Sequence, residues 1–295
     1  MIWWNTSLSP TAKAGRSTQA DQNIAFGMID LFTKNLLIDV ICLGEMSADD
    51  VVAMRNACSV SEYAIYEGFS RAGRSAFDVC ILYRKNILLL LDNKEVVSFS
   101  GKNSLKIGQR IDFALADNET VIHVFVSHWP SRLWCDEHHT DRHRLGMRLR
   151  DAVDEVLGED HTAHVVVMGD FNDDPFAPSL EDHLKATRDR DLASRKRHFM
   201  YNPFWRHMGS NALYSADVSD PPSYGGSYYY KSGRLTRWHT FDQIIFSSSF
   251  LGNSDWHLRE DAVKVVDVPS YTDLVRDHDE SFDHMPVFAL IEKVN

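Results

Sequence analysis

The sequence predicts an α/β fold, and three features predict it. The chain opens with an apolar strand over residues 1–5, an amphipathic segment at helical spacing over 23–37, and a buried strand over 39–45. A charged helix over 135–157 leads into a second buried, β-branched strand over 163–168. Short β-branched and aromatic runs fill the stretch between these units and follow the second. Strand, helix, strand order taken alone points to a doubly wound parallel sheet.

In chain order, the first strand ends in the amide of Asn5, and residues 6–18 are polar and turn-rich. Ile24, Met28, Leu31 and Leu36 recur at helical spacing, so this segment should lie on the sheet. The strand that follows ends in the carboxylate of Glu45, matching Asn5. A helix is expected over 48–57 and strands over 63–66 and 77–83. Between those strands, Arg71-Ala72-Gly73-Arg74-Ser75 is basic, and a solvated turn is its default reading. Residues 87–91 and 96–99 read as a hairpin or neighbouring strands, with another strand over 111–115. The strand over 121–126 runs into Ser127-His128-Trp129-Pro130-Ser131-Arg132, and His128 sits where Pro130 forces the strand to stop.

On the helix over 135–157, Leu145, Leu149, Val153 and Val156 face inward. His139 and His143 are spaced for a metal, but among Asp136, Glu137, Asp141 and Arg142 they read as a wet helix face. The central strand then meets Gly169-Asp170-Phe171-Asn172. Gly169 permits close backbone approach, while Asp173-Asp174-Pro175 blocks further strand. Asp170 and Asn172 are thereby presented at the end of a rigid strand. Residues 187–238 hold nine Lys/Arg against four Asp/Glu, together with ten aromatic rings, a mixture that suits nucleic acid. Within it, 224–230 reads as an alternating strand with half its rings buried. Asp242 lies near the start of a strand over 241–246, and Asp283-His284 occupies a turn before the closing strand over 287–291. Adjacent side chains on an extended segment point to opposite faces, so each of this last pair needs its own partner.

Composition sets outer bounds. Hydrophobic residues at 44% and charged residues at 25% describe an ordinary globular protein. A net charge of −11 opposes coating of nucleic acid by bulk electrostatics, yet permits an enzyme that meets phosphates through a bound cation. Cys42, Cys58, Cys80 and Cys135 form no CxxC pair, and no signal peptide is recognisable, so free thiols and a cytoplasmic location are expected. The most apolar stretch, 79–91, is short and broken by Arg84, Lys85 and Asn86, which argues against a membrane span.

Trp4-Asn5, Gly44-Glu45, Ser127-His128, Gly169-Asp170-Phe171-Asn172, Asp242 and Asp283-His284 together resemble, in order, the endonuclease/exonuclease/phosphatase superfamily. That group includes deoxyribonucleases, apurinic endonucleases, sphingomyelinases and inositol 5-phosphatases; the form around His128 is similar to its bacterial nuclease-like members. The resemblance spans nearly the full chain and implies one catalytic domain over residues 1–295. It replaces the parallel sheet with a four-layer α/β/β/α sandwich of two mainly antiparallel sheets and outer helices. It implies a magnesium site, with manganese as an alternative, held by Glu45 with Asn5 and Asp283. It makes His128, Asp170, Asn172, Asp242 and His284 catalytic, with Asp242 orienting His284. Either His284 or Asp170 takes the proton from water. Weaker substrate contacts are Arg74, Arg132, Arg144, Trp205 and Trp238. The expected activity is hydrolysis of DNA or RNA phosphodiesters; the alternatives are a phosphatase or phosphodiesterase on a small phosphorylated metabolite, nucleotide or lipid headgroup, and a binding module that has lost the chemistry.

Overall fold

A computed structural model describes residues 1–10, 17–73, 75–100, 103–117, 120–158, 161–213, 216 and 223–294. The opening unit forms as the sequence predicts. Strands β1 (Ile2–Asn5) and β2 (Val40–Gly44) run parallel with Asn5 opposite Gly44, and α1 (Gln19–Asp30) connects them. Thr18 caps α1 and Ser47 caps α2 (Ala48–Ala57), each exchanging bonds with an Asp three residues on, which satisfies amide donors the helix start leaves open. Two long hairpins follow, β3 (Tyr63–Ala72) with β4 (Ser75–Arg84), and β5 (Leu88–Ser100) with β6 (Asn103–Leu115). The two runs expected over 87–91 and 96–99 are one strand, β5. Register shifts at Leu90/Asp92 and Val96/Val97 carry its polar middle through the ladder.

A second crossover unit comprises β7 (Val121–His128), α3 (Thr140–Leu157) and β8 (His164–Asp170), with His128 opposite Asp170 in a parallel register. The helix begins later than expected because His139 is its N-cap, its ring accepting from the Asp141 amide at 3.1 Å. His143 instead meets His183, Nδ1 to Nε2 2.7 Å. Short elements β9 (Ala186–Thr187), α4 (Arg190–Arg195), β10 (Met200–Tyr201), β11 (Tyr228–Tyr229) and β12 (Trp238–His239) occupy the basic stretch, so the alternating strand expected over 224–230 shrinks to two residues. The chain closes with β13 (Asp242–Ser247), β14 (Trp256–Val265), α5 (Pro269–Arg276) and β15 (Val287–Lys293).

The strands form a six-stranded sheet ordered β14-β15-β1-β2-β4-β3, a seven-stranded sheet ordered β5-β6-β7-β8-β13-β10-β9 and a two-stranded sheet of β11 and β12. Among the described residues only β1/β2, β7/β8 and β9/β10 pair in parallel, so the doubly wound reading holds for local units and fails for the whole. Val165, Val167, Phe125 and Ile245 pack under Leu145, Leu149 and Val153 of α3 on the outer face of the seven-stranded sheet. Val124, Val126, Val166, Met168, Ile244 and Phe246 face the other way and share a core with Ile2, Trp3 and Ile41 of the first sheet. Because strand side chains alternate with a period of two, the inward register of these residues extends to His128, Asp170 and Asp242. The core pattern therefore aims all three into the gap between the sheets.

Gly169 is what lets β7 and β8 close at that end. A Cβ there would lie 1.8 Å from the Ser127 carbonyl oxygen, and its φ is +152°. All four cysteines are buried and unpaired. Among the described residues, no helix is long and apolar enough to cross a membrane.

Candidate active site

Strand ends from both sheets meet around a cavity of about 420 Å³ bordered by Asn5, Glu45, His128, Asp170, Asn172, Tyr228, Asp283 and His284. The His284 Nδ1 lies 2.7 Å from Asp242 Oδ2, and Trp3 Nε1 donates to Asp242 Oδ1 at 2.7 Å. With Nδ1 committed to Asp242, Nε2 turns to the cavity, 3.6 Å from Asp170 Oδ2. Burial opposes a charge on His284, but Asp242 and Asp170 outweigh it and hold its pKa well above the ordinary histidine value. Asp283 and His284 do not face opposite ways: both border the cavity and their side chains come within 3.9 Å. Residue 284 meets β11 through a single bridge to Tyr228 rather than a regular ladder, so strand alternation does not govern the pair.

Asp170 is fixed from several sides. Its Oδ1 accepts from the Asn172 amide at 2.8 Å and its Oδ2 from Asn5 Nδ2 at 3.3 Å. Burial raises its pKa, against the opposing charge of His284. Asn172 sits at φ +51° and donates Nδ2 to the Trp129 carbonyl at 3.0 Å, which sets the turn after the strand.

A second carboxylate–histidine pair faces the first, and sequence reasoning missed half of it. Asp78 Oδ2 lies 2.8 Å from His128 Nδ1, and its Oδ1 accepts from Lys106 Nζ at 2.8 Å. Burial penalises the Asp78 charge, but His128 and Lys106 overcome it and hold the carboxyl well below the usual range. His128 Nε2 then points at Glu45 and Asp170, 3.8 and 3.9 Å away. Burial works against the His128 charge as well, yet Asp78 raises its pKa. The available signal was a lone acid in the apolar run Phe77-Asp78-Val79-Cys80-Ile81-Leu82, where a buried charge requires a partner. Trp3, Tyr228 and Lys231 were missed too. Tyr228 lays its ring 4.6 Å from that of His284, and Lys231 borders the cavity while donating to the Glu280 carbonyl.

Glu45 is the site's unsatisfied acid. It adopts φ +54°, its side chain is 16% exposed, and among the described residues no donor bonds its carboxylate. Burial pushes its pKa up to about 7, with His128 opposing and Asp283 and Asp78 adding to the rise. Asp283 keeps one oxygen beyond the one that accepts from Ser7 Oγ at 2.9 Å, and Asn5 Oδ1, which accepts from the Ser7 amide, has a second lone pair. Asp170, Asp242 and His284 also crowd within 4.8 Å of one another. Within this cluster His284 Nδ1 meets Asp242, and Asp170 accepts from the Asn172 amide and from Asn5 Nδ2. Glu45, Asp283 and Asn5 offer oxygen atoms of the kind a hard divalent cation takes.

The weaker substrate contacts lie elsewhere. Arg132 donates Nε to the Asn172 carbonyl at 2.9 Å, reaches Asp173 and Asp174, and stacks 4.6 Å over Phe241, which buttresses the turn. Arg144 pairs with Asp141 at 2.7 Å on α3. Trp238 packs 4.9 Å from Tyr229. Trp205, with Arg188, Arg190, Arg195 and Lys196, lines a separate cavity of about 620 Å³ that shares no wall with the catalytic one. Arg74 falls outside the described residues.

The sequence matches the Endonuclease/Exonuclease/phosphatase family over residues 13–287. No curated protein matches it. Among solved structures, the human Nocturnin catalytic domain with bound sulfate is similar with a TM-score of 0.60 at 14% identity, covering 99% of this chain and 93% of that one. A mannosyl-6-phosphatase from Bacteroides thetaiotaomicron gives 0.60 at 12%, covering 99% and 98%. TDP2 from D. rerio, complexed with single-strand DNA product, gives 0.58 at 14%, covering 99% and 98%. These likenesses establish the shared fold, and the sequence match establishes the family. The chain belongs to the endonuclease/exonuclease/phosphatase family of phosphoric ester hydrolases.

Proposed function

We propose that the chain is a magnesium-dependent phosphodiesterase acting on DNA or RNA, with residues 1–295 as one catalytic domain. The observation that carries this reading is the convergence of two carboxylate-oriented histidines on Asp170 beside Glu45, whose carboxylate accepts no hydrogen bond among the described residues. A phosphodiester is anionic and repels a nucleophile, so neutralisation and an activated water are both needed. Bound at Glu45, Asp283 and Asn5, magnesium would neutralise a non-bridging oxygen. Asp170, its pKa raised by burial, would take the proton from the attacking water. His284, held charged by Asp242, would donate from Nε2 to the phosphate as negative charge develops. His128 would bind a phosphate oxygen or protonate the leaving group, and Asn172 would orient the phosphate.

A phosphatase acting on a small phosphate ester is the second reading. It is favoured by the separation of Trp205 and the arginines around it from the catalytic cavity, which Tyr228 and Lys231 of the same stretch do border. Hydrolysis of single- and double-stranded DNA, RNA and small phosphate esters, with magnesium and with chelator, separates the two. Polymer cleavage that disappears in chelator and in Asp170→Ala supports the first; inorganic phosphate from small esters alone supports the second. Silence on every substrate sinks both.

Asp78→Asn is expected to lower kcat about 10- to 100-fold, because His128 loses the carboxylate that fixes its tautomer and charge. The His128 titration, followed by NMR, should move down in the same protein. Wild-type turnover with an unshifted titration would remove Asp78 from the machinery.

A further inference from the structure

A second cavity of about 570 Å³ opens beside the catalytic one, and the two share Pro10, Glu45, His128, Ser131 and Leu133. Their chemistry differs. The catalytic cavity is walled by Asp21, Glu45, Asp170, Glu280 and Asp283, whereas the second has Glu45 as its one acid among the described residues. It adds Arg71 and Lys106 and an apolar wall that includes Leu105, Trp129 and Trp134. Lys106 is already paired with Asp78, which leaves Arg71 as the cation without an ion-pair partner among the described residues.

Two of its wall residues are exposed in a way core packing does not explain. Leu133 is 83% and Trp134 is 79% exposed, although the loop that carries them is firmly tied down. Trp129 is buried and donates Nε1 to the Ile107 carbonyl at 2.9 Å, and Arg142 donates to the Cys135 carbonyl at 3.0 Å. Between these anchors, the Trp134 amide donates to the Ser131 carbonyl at 3.0 Å. An indole held out in water by a fixed loop, next to reacting groups, is a preorganised stacking surface. Opposite it, β3 and β4 run on past Asp78 and bring Arg71 to the same cavity.

We propose that this second cavity binds the nucleoside next to the scissile phosphate, with its base against Trp134 and Leu133 and its further phosphate at Arg71. The inference rests on the phosphodiesterase reading and names the part of the substrate that leaves the acidic cavity. The cavity is of a size that takes a nucleotide. An anionic, planar group fits the basic and apolar walls here and is repelled by the acids next door.

Binding and turnover test it separately. In an Asp170→Ala background with magnesium, quenching of tryptophan fluorescence by a thymidine dinucleotide, with and without a 5′-phosphate, gives affinities. Trp134→Leu is expected to weaken both ligands about tenfold and to remove most of the quenching, the range of one base–aromatic stack. Arg71→Gln is expected to weaken the phosphorylated ligand alone. In the otherwise wild-type enzyme, Trp134→Leu should lower the ratio of kcat/KM for a nucleoside ester to that for a methyl ester by a similar factor. Affinities unchanged in both variants would overturn the subsite even if the enzyme hydrolyses phosphodiesters. Affinity lost at Trp134 without hydrolysis of any ester would leave the subsite standing and overturn the reading on which it was built.

Discussion

Replacement of His284 by alanine is expected to lower kcat by about 10³- to 10⁴-fold, with the magnesium requirement changed by less than about threefold. The asymmetry follows from what each group touches. His284 commits Nδ1 to Asp242 and presents Nε2 toward Asp170 in the cavity, while Glu45 lies on the His128 side. Losing the imidazole removes a donor that acts as charge develops on the phosphate and leaves the proposed cation ligands in place. Asp242→Asn should approach the same loss, and the double variant should add little, since the two side chains act as a unit. Asp170 and His284 also set a pH profile. Turnover should rise as Asp170 gives up its proton and decline once His284 loses its own, at a pH well above the ordinary histidine range. Single-turnover rates with a magnesium titration for each protein test the assignment. An alanine variant that keeps more than a tenth of wild-type kcat would contradict it.

The sequence carried much of this site because its residues stand at strand ends, where punctuation is local. Gly169 and Pro175 bracket Asp170 and Asn172, and Pro130 stops the chain after His128. The inward aim of His128, Asp170 and Asp242 was likewise implicit in the alternation of the cores leading to them. What could not be read was pairing across the sheets. Asp78 and His128 are fifty positions apart and on different sheets, as are Trp3 and Asp242, and no periodicity of one strand encodes a contact made by another. The same blindness explains the doubly wound expectation, since each crossover unit is locally parallel and only the antiparallel partners of β1 and β8 reveal the sandwich. It explains the basic stretch too. Charge and aromatic content are properties of a segment, but β10 pairs with the far end of β13 from Asp242, which puts Trp205 and its arginines on another cavity.

Glu45→Gln is expected to weaken magnesium binding at least tenfold and, without metal, to make the protein more stable at pH 8. The second effect comes from an acid buried without a hydrogen-bond donor among the described residues, its nearest charge being His128 at 3.8 Å. Burial raises the Glu45 pKa from 4.5 to about 7, so between those values the folded state holds a proton that the unfolded chain has released. Metal-free stability therefore falls as pH rises through that window, by up to about 3 kcal/mol from this group at 1.36 kcal/mol per pKa unit. His128 and His284, whose pKa values are also raised, add the same sign as pH climbs beyond the ordinary histidine value. Glutamine has no proton to lose, so its contribution is flat with pH and the variant should melt a few degrees above wild type at pH 8 in chelator. Magnesium should reverse the order, stabilising the wild type by occupying the ionised carboxylate and doing much less for the variant. At pH 5 the two metal-free proteins should nearly coincide. Melting temperatures at both pH values, with and without magnesium, decide the point. If the metal-free variant is no more stable than wild type at pH 8 and gains as much from magnesium, Glu45 is neither the strained acid nor the principal ligand, and the cation belongs instead with Asp170 and its neighbours.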